Sequence, residues 1–300
     1  MASKQVTAGA QGMLPFELDS PLHGKVRGEK SLMDFPFFVL SKHAHMDVID
    51  WKDGTVSIQI RPSARGVANM YDKRVLLYVA SLMAQAIDAG EPIGTQIRFT
   101  AHDFFRVVGI DKPSSKDYAG LAHAFERLQG TQIQTNIVTG QREQRGYFSW
   151  LSEAHFDTER LSNGKERVQA IRVQPCEWLT RAILKDRRLY QYHPEYFELG
   201  PIECRLYELA HSQCEGDQVE FPLAELAKKI GSFAPASKTK QAIETIAKLN
   251  PLPEYTLEMR EIVHPPKMRK NARGKVETIV VMKRRPKALP SGPLPSVVAA

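Results

Sequence analysis

The strongest constraint on the fold is a repeat. "GIDKPSSK" (Gly109–Lys116) and "GSFAPASK" (Gly231–Lys238) share the form G-x-x-x-P-x-S-K, 122 positions apart. At the same offset "GTQIRF" (Gly94–Phe99) falls on "GDQVEF" (Gly216–Phe221), so seven identities accumulate: Gly94, Gln96, Phe99, Gly109, Pro113, Ser115 and Lys116. Between the matched stretches lie two helical patterns. Phe104 and Val108 lead to Gly109, Leu226 and Ile230 lead to Gly231, and each glycine stands where a helix stops.

A second helix follows in each copy, with Ser115 and Ser237 as the expected N-caps. Its apolar positions are Leu121, Phe125 and Leu128 in the first copy. In the second they are Ile243, Ile246 and Leu249, with one residue deleted after Ile243. An apolar stripe also precedes each unit: Val75, Val79, Leu82, Met83 and Ala86, then Ile202, Leu206 and Leu209. Strand-like segments come after. "TQIQTNIV" and "YFSWL" flank a polar turn, and "EYTLEMREIV" and "VETIVVMK" flank the basic segment "HPPKMRKNARGK". Helix, strand, helix, turn, helix and hairpin is the order of a winged helix, in which the second helix of the pair enters the major groove and the hairpin approaches the backbone or minor groove. A duplication of this module accounts for the matched order better than chance.

Charge placement points the same way. The formal net charge is +7, yet Arg260–Lys287 holds ten basic and two acidic residues, +8 in all, which leaves −1 for the rest of the chain. Such concentration attracts a polyphosphate backbone through counterion release. A solvated basic tail is the bland alternative.

Helical geometry selects the readers. With Ala242, Ile243, Ile246 and Leu249 inward, Lys238, Gln241, Thr245 and Lys248 face out beside Glu244, and Lys240 lies at the flank. Gln pairs two-pronged with adenine, Lys reaches guanine or phosphate, and Thr meets a thymine methyl. The first copy offers a poorer face of Lys116, Ala119, His123, Glu126 and Arg127, suited to weaker DNA contact or dimerisation. Lys267, Arg269, Lys270, Arg273 and Lys275 on the hairpin loop suit phosphate or minor-groove contact.

Other chemistry is thinly supported. The three Gly-Lys pairs at Gly24, Gly164 and Gly274 lack the following Ser or Thr of a phosphate-binding loop. Cys204, His211 and Cys214 approach one helical face but offer three zinc ligands without a fourth. The odd cysteine count suits a reducing compartment, and no cofactor is expected. His43-Ala-His45 matches the His-apolar-His spacing of metal-dependent nicking enzymes, with Tyr190, Tyr192 or Tyr196 as a conceivable nucleophile. The bland reading is a loop entering a domain. The apolar runs are too short to span a membrane, and the start lacks a signal-peptide core, so a cytoplasmic protein is expected.

"FFVLSK" (Phe37–Lys42), "VSIQIRPSARGVA", "YDKRVLLY", "IRFTAHD", "AFERLQGTQIQTNI" and "RRLYQYHPEYFELGPIECRLYELA" together resemble the plasmid replication initiator protein A family, over roughly Phe35 to Glu261. The resemblance implies a bacterial plasmid protein that binds repeated origin sites (iterons) in double-stranded DNA, promotes strand opening and recruits the host initiator and replicative helicase. It also implies two winged helices, the first serving dimerisation, and repression of the protein's own gene. The expectation is therefore an α+β, tandem winged-helix protein that is not an enzyme. Its parts are a flexible arm (1–30), a first winged helix (31–198), a second winged helix with the main reader and basic wing (199–287), and a disordered tail (288–300). A transcriptional repressor of the same fold is the first rival, and a nicking enzyme the second.

Overall fold

In the computed structural model, which describes residue 22 and residues 25–142, 146–160, 166–214, 216–264 and 275–286, strand β1 (Arg27–Glu29) runs straight into helix α1 (Lys30–Asp34). The buried Glu29 carboxylate accepts from the Ser31 and Leu32 N–H groups at 2.8 and 3.3 Å, which satisfies donors left open by the first helical turn. Arg27–Lys30, counted with the N-terminal arm on sequence grounds, are thus part of the fold. Strands β2 (Ile49–Asp53) and β3 (Val56–Arg61) form a hairpin turned at Gly54. Ile49, Trp51, Ile58 and Ile60 are buried while Asp50, Lys52 and Arg61 are exposed, the alternation of a half-buried sheet. Helix α2 (Lys73–Asp88) then buries Val75, Val79, Met83 and Ala86, as the apolar stripe requires.

The repeat proper starts with β4 (Ile97–Phe99), α3 (Ala101–Val107) and α4 (Ser115–Gly130). Next come β5 (Gln132–Thr135), β6 (Leu151–Arg160) and β7 (Glu166–Pro175). After α5 (Glu177–Arg181) and a π-helical turn, β8 (Leu189–Gln191) pairs with β1, and a 3-10 turn Pro194–Glu198 leads into α6 (Pro201–Gln213). The second unit is β9 (Gln218–Pro222), α7 (Leu223–Ile230), α8 (Ala236–Leu249), β10 (Tyr255–His264) and β11 (Lys275–Arg284).

The two units share one topology. The strand before each helix pair joins the far strand of the later hairpin, giving the sheet orders β4-β7-β6 and β10-β11-β9. Among the described residues every pairing between these strands is antiparallel, so the architecture is mixed α/β with separate antiparallel sheets.

Four sequence expectations are corrected. "TQIQTNIV" and "YFSWL" share only a bridge between Ile133 and Phe148, and the hairpin equivalent to β10–β11 is β6–β7, further along. β5 turns back to β3 because Ile133 lies opposite Ile60, both fully buried, on a sheet begun before the repeat. The cap of α4 is Ser114, not Ser115: the Asp117 carboxylate accepts from its N–H and hydroxyl at 2.7 and 2.6 Å. Helix α8 starts at Ala236 after Pro235, which places Ser237 inside the first turn. Leu249 is 72% exposed, because Asn250 leaves the helix at φ +47° and Leu252 takes the core position.

Candidate nucleic-acid interface

Lys238, Gln241, Thr245 and Lys248 stand exposed along one face of α8, at spacings of three and four. The Thr245 hydroxyl donates to the Gln241 carbonyl at 2.9 Å, which fixes its rotamer on that face. Lys240 is half-buried. It lies 3.8 Å from Glu244 and 3.7 Å from Glu261, so it ties the helix to β10 instead of standing free. Thr239 points inward and bonds Ser232 at 2.8 Å, pinning the turn to the helix. Beside the exposed face lies a cleft of about 460 Å³, closed on its other side by Gly200, Pro201, Ile202 and Glu203 at the start of α6.

The turn before α8 is seated on the first half of the chain. Gly231 has φ +72°, and a Cβ there would lie 2.7 Å from Pro36 Cβ. Phe233 stacks on His45 with ring centres 4.9 Å apart. The Trp51 indole donates to the Lys228 carbonyl at 3.0 Å. Asp53 accepts from Lys228 and Lys229 at 3.1 and 3.3 Å, and these bonds, Lys228's first, hold its carboxyl below the ordinary value. Pairing with Asp53 ties up the two α7 lysines, whereas Lys238 and Lys248 on α8 are exposed.

The first unit differs. Lys116 is exposed and His123 half-buried, but Arg127 is turned into the structure. Its guanidinium makes two bonds of 2.7 Å to Asp72, the residue before α2, so it serves as an internal clamp and not as an outward contact. Glu126 is paired with Arg65. Lys267, Arg269, Lys270 and Arg273 lie outside the described residues, as do the Lys275 side chain, the tail 288–300 and most of the arm. The stem of that hairpin exposes Ile262, Val263 and Val276.

Of the residues singled out for other chemistry, His43 is exposed and the others have structural partners. His45 is occupied by Phe233. Tyr192 and Tyr196 are buried and donate to Glu208 at 3.2 and 2.7 Å, while Tyr190 meets His211 edge-on. Cys204 bonds the Tyr196 and Leu199 carbonyls, His211 lies 3.0 Å from the Tyr255 hydroxyl, and Cys214 bonds Gly216. Among the described residues no three His, Cys, Asp or Glu side chains converge as a metal site.

One cluster escaped sequence reasoning. The Lys42 ammonium lies 4.9 Å from the Tyr71 ring centre and the Arg74 guanidinium 5.1 Å from it. Arg74 also lies over Phe197 at 5.7 Å and donates to its carbonyl at 2.7 Å. The Tyr71–Arg74 spacing is visible in "YDKR", but Lys42 reaches the ring only through the tertiary fold.

Comparison with known proteins gives consistent matches. The family model described as Replication initiator protein A matches residues 27–257. A protein of Wigglesworthia glossinidia brevipalpis whose name assigns it to replication is 31% identical over 235 residues, covering 77% of this chain and 84% of the relative. A crystal structure of selenomethionine derivatives of domains 2 and 3 of RctB superposes with a TM-score of 0.58 at 15% identity, over 85% of this chain and 98% of that one. A second crystal structure of RctB domains 2–3 gives 0.53 at 14% identity, over 85% and 97%. At these identities the likeness to RctB is one of fold. No helix among the described residues is long and apolar enough to cross a membrane.

Proposed function

Because this chain belongs to the replication initiator protein A family, we propose that it starts plasmid replication by binding repeated duplex sites (iterons) at its origin. In this reading each repeat unit is a winged helix, bounded near residues 31–198 and 199–287. The second is the base reader, and the first lends weaker contact and dimerisation. α8 lies in the major groove with Gln241 and Lys248 against base edges and Lys238 near phosphate. The basic segment beyond β10 supplies affinity and salt dependence. Binding energy spent on bending the origin would favour strand opening. ATP chemistry would come from the host initiator and replicative helicase, which the bound protein would recruit in the cytoplasm. Dimers of the same protein would occupy the promoter and repress their own gene.

The observation that carries this reading is the open face of α8. Four side chains able to meet bases or phosphates stand exposed there, on a helix whose preceding turn is held from behind by Pro36 and His45, with Trp51 bonded to α7. A plasmid carrying only this gene and its upstream region tests it. It should replicate in a permissive host with the wild-type chain and fail with Gln241→Ala. The variant should lose about 1–3 kcal/mol toward the selected site and little toward random DNA. A plasmid that is bound and silenced but not replicated would make the protein a repressor.

A further inference from the structure

Tyr71 holds two cations on one ring. Among the described residues neither Lys42 nor Arg74 has a carboxylate at ion-pair distance, whereas Arg65, Arg127, Lys228, Lys229 and Lys240 each have one. The aromatic face attracts each cation, but two like charges gathered there repel each other and leave a surplus of positive potential. Lys42 is exposed and Arg74 partly so, and such a surplus is relieved by an anion from outside the chain.

Position narrows the choice of anion. The Arg74 guanidinium grips the Phe197 carbonyl, and Phe197 stands three residues before Gly200, the first residue of the α8 cleft. Three residues of chain span at most roughly 10 Å. On the other side Lys42 stands three residues before His45, whose ring lies on Phe233 in the turn that launches α8. The two cations are therefore linked by short chain segments to the cleft and to the turn that flank α8.

We infer that Lys42 and Arg74, presented by Tyr71, form a phosphate site for the DNA backbone flanking the bases that α8 reads. The inference rests on the proposed DNA-reading role. It adds that the first half of the chain sets the register of the second unit's helix. Backbone contacts of this kind fix orientation and add affinity while carrying no sequence information.

Salt dependence tests it. A duplex is first selected with wild-type protein from a random-sequence library, and its affinity is measured from about 50 to 200 mM KCl, where each lost phosphate contact lowers the log–log slope by about 0.9. Lys42→Ala, at an exposed position, should lower the slope by about one contact and leave base preference unchanged, and Lys42→Arg should restore it. Arg74→Gln should act alike, with its urea midpoint measured because it also loses the Phe197 bond. Selection that succeeds, followed by an unchanged slope in Lys42→Ala, overturns this site alone. If the wild-type chain enriches no duplex, the DNA-reading role falls, and the site with it.

Discussion

Cys176 and Cys204 show what burial does to single side chains here. Desolvation pushes both thiols from the ordinary 9.0 up to about 12. In the unfolded chain they ionise near 9, so between pH 9 and 12 the folded state holds protons that the unfolded state has released. Stability from these thiols is complete below pH 9 and is lost as pH rises through that window. The wild-type urea midpoint should therefore fall more steeply above pH 9 than that of Cys176→Ala/Cys204→Ala, against an opposing gain from Lys73 up to about pH 10.5 that both proteins share. Parallel slopes would show that the thiols do not drive the loss. Tyr192 and Tyr196, also raised by burial, add a further loss above pH 10 that both proteins share. At this scale the exposed face of α8 at Lys238, Gln241, Thr245 and Lys248 was open to sequence reasoning, because helical periodicity decides which side chains point outward until the helix ends, where Leu249 departs from it. Arg127 was not: the partner of a long cation is decided by a remote residue, Asp72, that no local pattern announces.

Turns and hairpins obey the same division. Gly109 and Gly231 both end helices with positive φ, +81° and +72°, which the repeat required of them. Placing a side chain in that conformation costs roughly 1–2 kcal/mol. Gly109 faces open space, whereas a Cβ on Gly231 would meet Pro36. Gly109→Ala should thus cost only the backbone term. Gly231→Ala should cost more and loosen the seating of α8, as urea titration of the two variants would show. Equal losses would mean that the junction gives way freely. The helix pairs and their preceding strands followed from self-comparison because each is specified within its own unit. The first hairpin did not, since β5 completes the β2–β3 sheet begun before the repeat and pushes the equivalent hairpin on to β6–β7.

For the whole molecule the question is what joins the two halves, and the repeat is silent on it because the joint uses residues that the copies do not share. One buried carboxylate, Glu208 on α6, accepts from Lys73 of α2 at 2.6 Å, Arg205 at 2.5 Å and the hydroxyls of Tyr192 and Tyr196. Lys73 and Arg205 also bond the Leu32 and Met33 carbonyls, and Arg205 reaches the end of α7 at the Lys229 carbonyl. Burial alone would raise the Glu208 carboxyl, but the two cations outweigh it and hold it below its ordinary value, so it is ionised. Lys73 is pushed by burial from 10.5 down to about 8 even with this partner. Glu208→Gln keeps the size of the side chain but leaves two buried cations facing a neutral amide, which should cost about 3–5 kcal/mol. The pH dependence identifies the cause. Without its anion Lys73 sheds its proton below pH 8, while the unfolded chain keeps it to about 10.5. The unfolded state then binds more protons, so the variant gains stability as pH rises from 7 to 8, where this lysine leaves the wild-type protein unchanged. The stability deficit of Glu208→Gln, measured by urea unfolding, should therefore narrow between pH 7 and 9. A deficit that stays flat across that range would mean that the loss comes from packing and not from the stranded charge on Lys73.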